Sequence, residues 1–392
     1  MTQLKNFISM LYKIGFILIG FLPVKKKLVI FESFLGKQYS DNPRAIYEYL
    51  RKNHPEYKMF WSIDKNYSQK FNKMNIPVVN RFSMKWLFLL PRAEFWVTNS
   101  RLPLWFKKPN HTTYLQTWHG TPLKKLASDM KEVHMPETTT ENYKENFYKE
   151  SRRWDFLISP NPYSTSIFQR AFKYDKEILE TGYPRNDPLV NNNNIAAINK
   201  IKEKLGIPKN KKVILYAPTW RDNEFFERGK YKFTMQLNLE HLQISLSNEY
   251  VLLLRLHYLI SNRIDIKRYH DFVFDFSNYD DISDLYLVSD ILLTDYSSVF
   301  FDYLCLKRPI IFYTYDIDTY RDKVRGFYFD YEKDAPGPLV KTTEEVINVI
   351  KQISENQFKP SEEVIRFHRE FCSLENGVSA EKVVEKVFLE RV

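Results

Sequence analysis

Glycine is scarce in this chain, ten residues in 392. Gly15 and Gly20 form the one pair at the P-loop interval, and they lie in an apolar stretch with no lysine behind them. A Walker loop and a GxGxxG dinucleotide loop are thereby excluded, so any phosphate must be held another way. Cysteine is scarcer still. Cys305 and Cys372 lie far apart and neither belongs to a CxxC pair, which argues against a zinc module or a secreted disulfide framework and for a reducing, cytoplasmic setting. The eight histidines include no HExxH motif and no pair three to five residues apart, so a sequence-local zinc site is absent. Asp316 and Asp318 have the spacing of a metal-binding carboxylate pair, but such triplets are common; neither a metal nor another cofactor is assigned, magnesium included.

What is present is apolar and basic. Hydrophobic residues make up 44% and aromatic ones 16%, enough to offset the ordering entropy of a folded chain. At roughly 150 residues per domain the length suggests about two domains. The net charge of +10 favours anionic partners, among which nucleic acid, anionic lipid and nucleotide diphosphates all qualify. Basic motifs interleaved with aromatics in the manner of nucleic-acid modules are missing, so no nucleic-acid partner is expected.

At the N-terminus Leu4, Phe7, Ile8, Leu11, Ile14, Leu18, Phe21 and Leu22 recur at three- and four-residue intervals, with Lys5, Ser9 and Lys13 on the other side. The pattern predicts an amphipathic helix. The apolar run after Lys13 ends at Val24, short of the ~20 residues a spanning helix needs. Lys25, Lys26 and Lys27 follow, so residues 1–26 are expected to lie on an anionic bilayer surface. A signal peptide, for which no small-residue cleavage site follows, and a helix packed on its own core are the competing readings.

From residue 27 short apolar runs alternate with helical ones. Strands are expected at Leu28–Phe31, Tyr57–Ile63, Pro77–Val79, Phe95–Thr98, Thr113–Thr117 and Phe156–Ser159, with helices opened by Asp41 and by Ser83. A polar stretch at Asn191–Asn194 marks a boundary, after which the alternation restarts at Val213–Tyr216, Val251–Leu256, Phe272–Phe276, Ile291–Thr294 and Ile310–Tyr313. Two doubly wound parallel-sheet α/β domains are the economical reading, residues 27–190 and 191–392, with the C-terminal helices free to pack back on the first. Ligands in such sheets bind beyond the carboxyl ends of the strands, so a cleft between the domains is expected to hold the chemistry.

Unusual polar clusters fall at those strand ends. Tyr114–Lys124 delivers His119 from a strand into a turn that Pro122 is expected to convert to a helix. An imidazole there has the pKa of a general base; a capping histidine is the plainer account. Asp295, Tyr296, Ser297 and Ser298 follow a strand and open a helical run, where backbone N–H groups and hydroxyls suit a phosphate, although serine also serves as an ordinary N-cap. Arg255 and His257 leave another strand end as donors for a diphosphate. Arg185, Thr219 and Arg221, with Lys124, complete the cleft candidates, in segments whose Pro and Asn ordinary turn chemistry also explains.

Taken in order, the His119 segment, Ser159–Ser164, Thr181–Asp187, Ala217–Arg221 and Asp295–Ser298 resemble the CDP-glycerol glycerophosphotransferase family of teichoic acid synthesis, over residues 27–377. The resemblance implies a GT-B-like fold, a CDP-glycerol or CDP-ribitol donor and release of CMP. It also implies a lipid-linked (undecaprenyl diphosphate) teichoic acid precursor as acceptor, and a peripheral place at the cytoplasmic face of the membrane beside other teichoic acid enzymes. By motif, His119 resembles the catalytic base, and His257, Ser297 and Ser298 resemble the holders of the donor phosphates, with Arg255, Thr219 and Arg221 as neighbours. Tyr258 stands where many relatives place a proline. The likeness favours glycerol phosphate transfer. The alternatives are ribitol phosphate transfer and a GT-B glycosyltransferase using a nucleotide sugar.

Overall fold

The computed structural model describes residues 2–133, 138–219, 225–227, 230–231, 234–256, 265–318, 326–356 and 358–390. The chain divides into two compact units. The first comprises Met1–His119, Leu126–Asp187 and Leu374–Val392; the second comprises Gly120–Lys125 and Pro188–Ser373.

In the first unit the strands are β1 (Lys25–Glu32), β2 (Lys58–Ile63), β3 (Val78–Asn80), β4 (Ala93–Thr98), β5 (Thr113–Gln116), β6 (Phe156–Ser159) and β7 (Glu177–Glu180). They form one sheet in the order β3-β2-β1-β4-β5-β6-β7, and every pairing is parallel. Leu28–Glu32 and all of β4 are buried on both faces, as expected where helices cover both sides of a parallel sheet. Val29 lies beside Phe95 and Glu32 beside Thr98. On one face Phe31, Tyr47, Trp61 and Phe95 pack with Val383, Val384 and Phe388 from the C-terminus. That return is anchored by Asp187, whose two carboxylate oxygens accept from the backbone N–H groups of Ser379 (2.9 Å) and Ala380 (2.8 Å). Gly182 makes the close approach possible: its φ is +80°, and a Cβ there would meet Ser379 Oγ at 2.7 Å.

The second unit contains β8 (Lys212–Ala217), a hairpin of β9 (Phe225–Glu227) and β10 (Lys230–Tyr231), then β11 (Tyr250–Leu254), β12 (Val273–Asp275), β13 (Ile291–Thr294), β14 (Ile310–Tyr313) and β15 (Leu339–Val340). Apart from the hairpin these make a sheet ordered β12-β11-β8-β13-β14-β15, again wholly parallel. The protein is thus an α/β chain with two parallel sheets. The strands read from apolar runs recur within a residue or two. The ones missed, β7, β15 and the hairpin, are short; β7 offers only Ile178 and Leu179 as apolar signal.

Helix α1 (Thr2–Ile19) forms where the periodicity puts it, but it does not rest on the stripe. Phe16 is fully buried within a nest of Trp86, Trp96, Trp105 and Phe106, and the Tyr12 hydroxyl donates to the Ser83 carbonyl at 3.2 Å. The stripe residues Phe7, Ile8, Leu11, Ile14, Leu18, Phe21 and Leu22 stay exposed. Ile8, Ser9, Tyr12 and Lys13 also line a groove of about 460 Å³ with Phe82 and Trp105. No helix among the described residues is long and apolar enough to cross a membrane.

Candidate active site

In the first sheet the chain leaves β1 for β2 and β3, then returns on the other flank of β1 as β4. Such a reversal opens a crevice at the carboxyl ends of the two strands. Ser33 and Phe34 follow β1, Asn99 follows β4, and His119 comes three residues after β5. The turn carrying His119 is held from both sides by Gln116, which accepts from Trp118 N (3.0 Å) and donates to the Ser100 carbonyl (3.2 Å). Trp118 adopts φ +53°, a left-handed conformation costing roughly 1–2 kcal/mol for a residue with a Cβ. Its ring packs against Phe147, Phe168 and Phe172, and loss of such a buried ring typically costs about 3–5 kcal/mol. Packing therefore wins, and the reversed backbone turns the next side chain outward.

The His119 ring stacks on Trp118, with centroids 4.6 Å apart, and its Nδ1 lies 2.7 Å from the Asn99 carbonyl oxygen. A carbonyl only accepts, so this partner assigns the proton to Nδ1 and leaves Nε2 with its lone pair. The ring is reachable by solvent, yet the protein crowding it strips hydration from the imidazolium and pushes its pKa below the ordinary histidine value. The Asp41 carboxylate and the Asn99 carbonyl pull the other way, while Arg185 and Arg101 add to the depression. A neutral imidazole with a bare nitrogen is the form a general base requires.

The second sheet reverses between β8 and β13. Asp295, almost fully buried, joins the two strand exits by accepting from Thr219 N at 2.7 Å, and its own carbonyl accepts from the Tyr331 hydroxyl. Ser297 and Ser298 follow, both half-buried, ahead of a short helix, Val299–Tyr303. Ser298 occupies the N-cap position without making a side-chain capping hydrogen bond, so the plain capping role weighed above does not account for its hydroxyl. Gly120, in the same unit, lies against it: a Cβ there would come within 3.1 Å of Ser298 Oγ. Arg255, half-buried, donates through Nη1 to the carbonyls of Phe276 (3.0 Å) and Ser277 (2.5 Å), which ties the exit of β11 to that of β12.

Pro122 does not start a helix. Leu123–Lys125 runs as an extended segment whose backbone pairs with Gly326–Tyr328: Lys125 N donates to the Gly326 carbonyl (2.9 Å), Tyr328 N to the Leu123 carbonyl (3.0 Å), and Lys124 bridges to Phe327. Arg185 belongs to the His119 neighbourhood, with Nη1 2.9 Å from Asp41 Oδ1. Arg221 and His257, with Tyr258, lie outside the described residues. Among the described residues no group of three or more His, Cys, Asp or Glu side chains could hold a metal ion; Asp316 accepts from the Tyr296 hydroxyl at 3.0 Å. Sequence reasoning missed Asn99 and Ser33 and read Asp41 only as a helix opener. The same strand-end rule that found His119 would have found Asn99, which directly follows the apolar run Phe95–Thr98.

Comparison with known proteins decides the family. The model of the family described as CDP-Glycerol:Poly(glycerophosphate) glycerophosphotransferase matches residues 14–389. The chain belongs to that family. Within it, the chain is 60% identical over 388 residues to a teichoic acid poly(glycerol phosphate) polymerase of Bacillus subtilis (strain 168), covering 99% of this chain and 52% of that protein. This chain thus spans about half the length of that relative. A teichoic acid glycerol-phosphate transferase of Staphylococcus aureus (strain NCTC 8325 / PS 47) is 52% identical over 375 residues, 95% of each chain. Among solved structures, the wall teichoic acid polymerase TagF superposes with a TM-score of 0.88 at 45% identity, covering 98% of this chain and 95% of that one.

Proposed function

We propose that this member of the family transfers glycerol phosphate from CDP-glycerol to the terminal hydroxyl of a lipid-linked teichoic acid precursor, with release of CMP. The observation that carries the reading is His119, fixed by its Nδ1 contact with Asn99 and left with a free Nε2 at the strand reversal of the first sheet. In this reading the first unit supplies the base and the second the donor site. His119 Nε2 takes the proton of the acceptor hydroxyl, that oxygen forms a bond to the phosphorus bearing glycerol, and the bond from that phosphorus to the CMP oxygen breaks. Ser297, Ser298 and His257 hold the donor phosphates, with Arg255, Thr219 and Arg221 around them. Positioning and charge stabilisation dominate such transfers. The preference for glycerol is supported by relatives: those named for glycerol phosphate polymers reach 60% identity, whereas the poly(ribitol-phosphate) polymerase of Bacillus spizizenii is 29% identical.

The exposed stripe of α1, followed by Lys25, Lys26 and Lys27, supports peripheral attachment to the cytoplasmic face of an anionic membrane. The test is CMP release and product length on a synthetic lipid-linked acceptor, with CDP-glycerol, CDP-ribitol and UDP-sugars supplied separately. CDP-glycerol alone is expected to turn over. Transfer from a UDP-sugar in its place sinks the reading.

A further inference from the structure

His119 is embedded in a closed ring of hydrogen bonds. Asn99, whose carbonyl meets Nδ1, donates through Nδ2 to Asp41 Oδ2 (2.8 Å) and Ser33 Oγ (3.2 Å), and its Oδ1 accepts from Phe34 N (2.9 Å). The other Asp41 oxygen accepts from Arg185 Nη1 (2.9 Å) and Asn42 N (2.7 Å). Asn42 then closes the circuit. Its Oδ1 accepts from Arg185 N (3.1 Å), and its Nδ2 donates to the carbonyls of Thr117 (3.2 Å) and Trp118 (3.3 Å), the turn that carries His119. Asn42 and Asn99 are fully buried, and the Asp41 and Arg185 side chains are 5% and 13% exposed.

Ordinary fold maintenance does not call for this investment. A buried ion pair is no better for stability than a well-packed apolar pair, and this one is held at the cost of a left-handed Asp41 (φ +66°), with Phe34, Leu35 and Trp118 left-handed around it. Strain of that kind persists only where the surrounding structure over-determines the geometry, and it clusters at active sites. We propose that Asp41 and Arg185 are positioning residues for the transfer reaction, holding the imidazole through Asn99 and Asn42. This rests on the reading of His119 as the base. The charged groups acting on the ring are Asp41, which favours its protonation, and Arg185 and Arg101, which oppose it.

The test compares wild type, Asp41→Asn, Arg185→Gln and the double variant as full-length protein. Asparagine tolerates the left-handed backbone, and Arg185→Gln keeps the experiment open if Asp41→Asn fails to fold. The His119 titration midpoint is read by NMR on histidine-labelled protein, assigned by loss of its signal in His119→Gln, and the acid limb of kcat/KM is read in parallel. Asp41→Asn is expected to move both down by about one pH unit and Arg185→Gln to move both up by about as much. The double variant is expected to bring the midpoint back toward wild type without recovering kcat. Shifts in the same direction, or none in either variant, overturn the proposal. The NMR midpoints need no turnover: opposed shifts there with an acid limb that stays put would uphold the coupling to the ring and remove His119 from its role as base.

Discussion

The two sheets reverse their strand order in the same way, yet the crevices at the reversals are filled differently. In the first unit the space beyond β1 and β4 is lined by Asn99, Asn42, Asp41 and Arg185 beside one imidazole. In the second, beyond β8 and β13, a single carboxylate, Asp295, joins the strand exits, and two serines follow it. Backbone strain divides along the same line: of ten non-glycine residues with positive φ among the described residues, nine lie in the first unit and only Lys307 in the second. A proton-transfer group works from one orientation and one charge state, which strain and buried ion pairs can hold. An anion-holding site works through several roughly convergent donors, which a relaxed strand exit supplies.

If that division is right, damage to the two crevices has different kinetic signatures. His119→Ala carries the largest expected effect, a fall in kcat of about 10²- to 10⁴-fold, with CDP-glycerol affinity by calorimetry unchanged. CMP release at the wild-type rate would break the comparison at its first term. Trp118→Ala tests whether packing holds the left-handed turn: it is expected to lose about 3–5 kcal/mol of stability, seen as a lower urea midpoint, and kcat should fall with it. An unchanged midpoint would mean the turn stands without the ring. In the second unit Ser297→Ala and Ser298→Ala should each raise KM for CDP-glycerol about tenfold, the size of one hydrogen bond to a charged group, with kcat less affected. A selective loss of kcat would instead place these hydroxyls at the reacting atoms.

Much of this was legible because buried parallel strands announce themselves. Runs such as Leu28–Phe31 and Ile291–Thr294 are apolar without interruption, and the polar residues directly after them mark the crevice. His119, Asp295, Ser297 and Ser298 all emerged from that rule. Three features resisted it for physical reasons. Pro122 promises a helix, but the extended pairing of Leu123–Lys125 with Gly326–Tyr328 comes from residues two hundred positions away. Asp41 looks like an ordinary helix opener, whereas Ser40 holds the cap position and Asp41 turns to Arg185, a partner far along the chain. Helix α1 has the expected stripe, but its packing face is set by Tyr12 and Phe16, which fall outside the stripe.

The smallest expected effect separates the crevices by pH. Burial holds the His119 pKa below its unfolded value near 6.5, so the folded protein resists taking up a proton that the unfolded chain accepts. The associated stability is complete above about pH 6.5 and is lost as pH falls through the lowered folded-state value. Wild type should therefore lose stability between pH 7 and 5 more steeply than His119→Gln, as read from urea midpoints across that range. Because the ring remains reachable by solvent, the difference should be modest. Ser298→Ala, which removes no titrating group, should follow the wild-type slope throughout; if it flattens the slope as His119→Gln does, the acid sensitivity belongs to some other group and the contrast between the crevices fails on this measure.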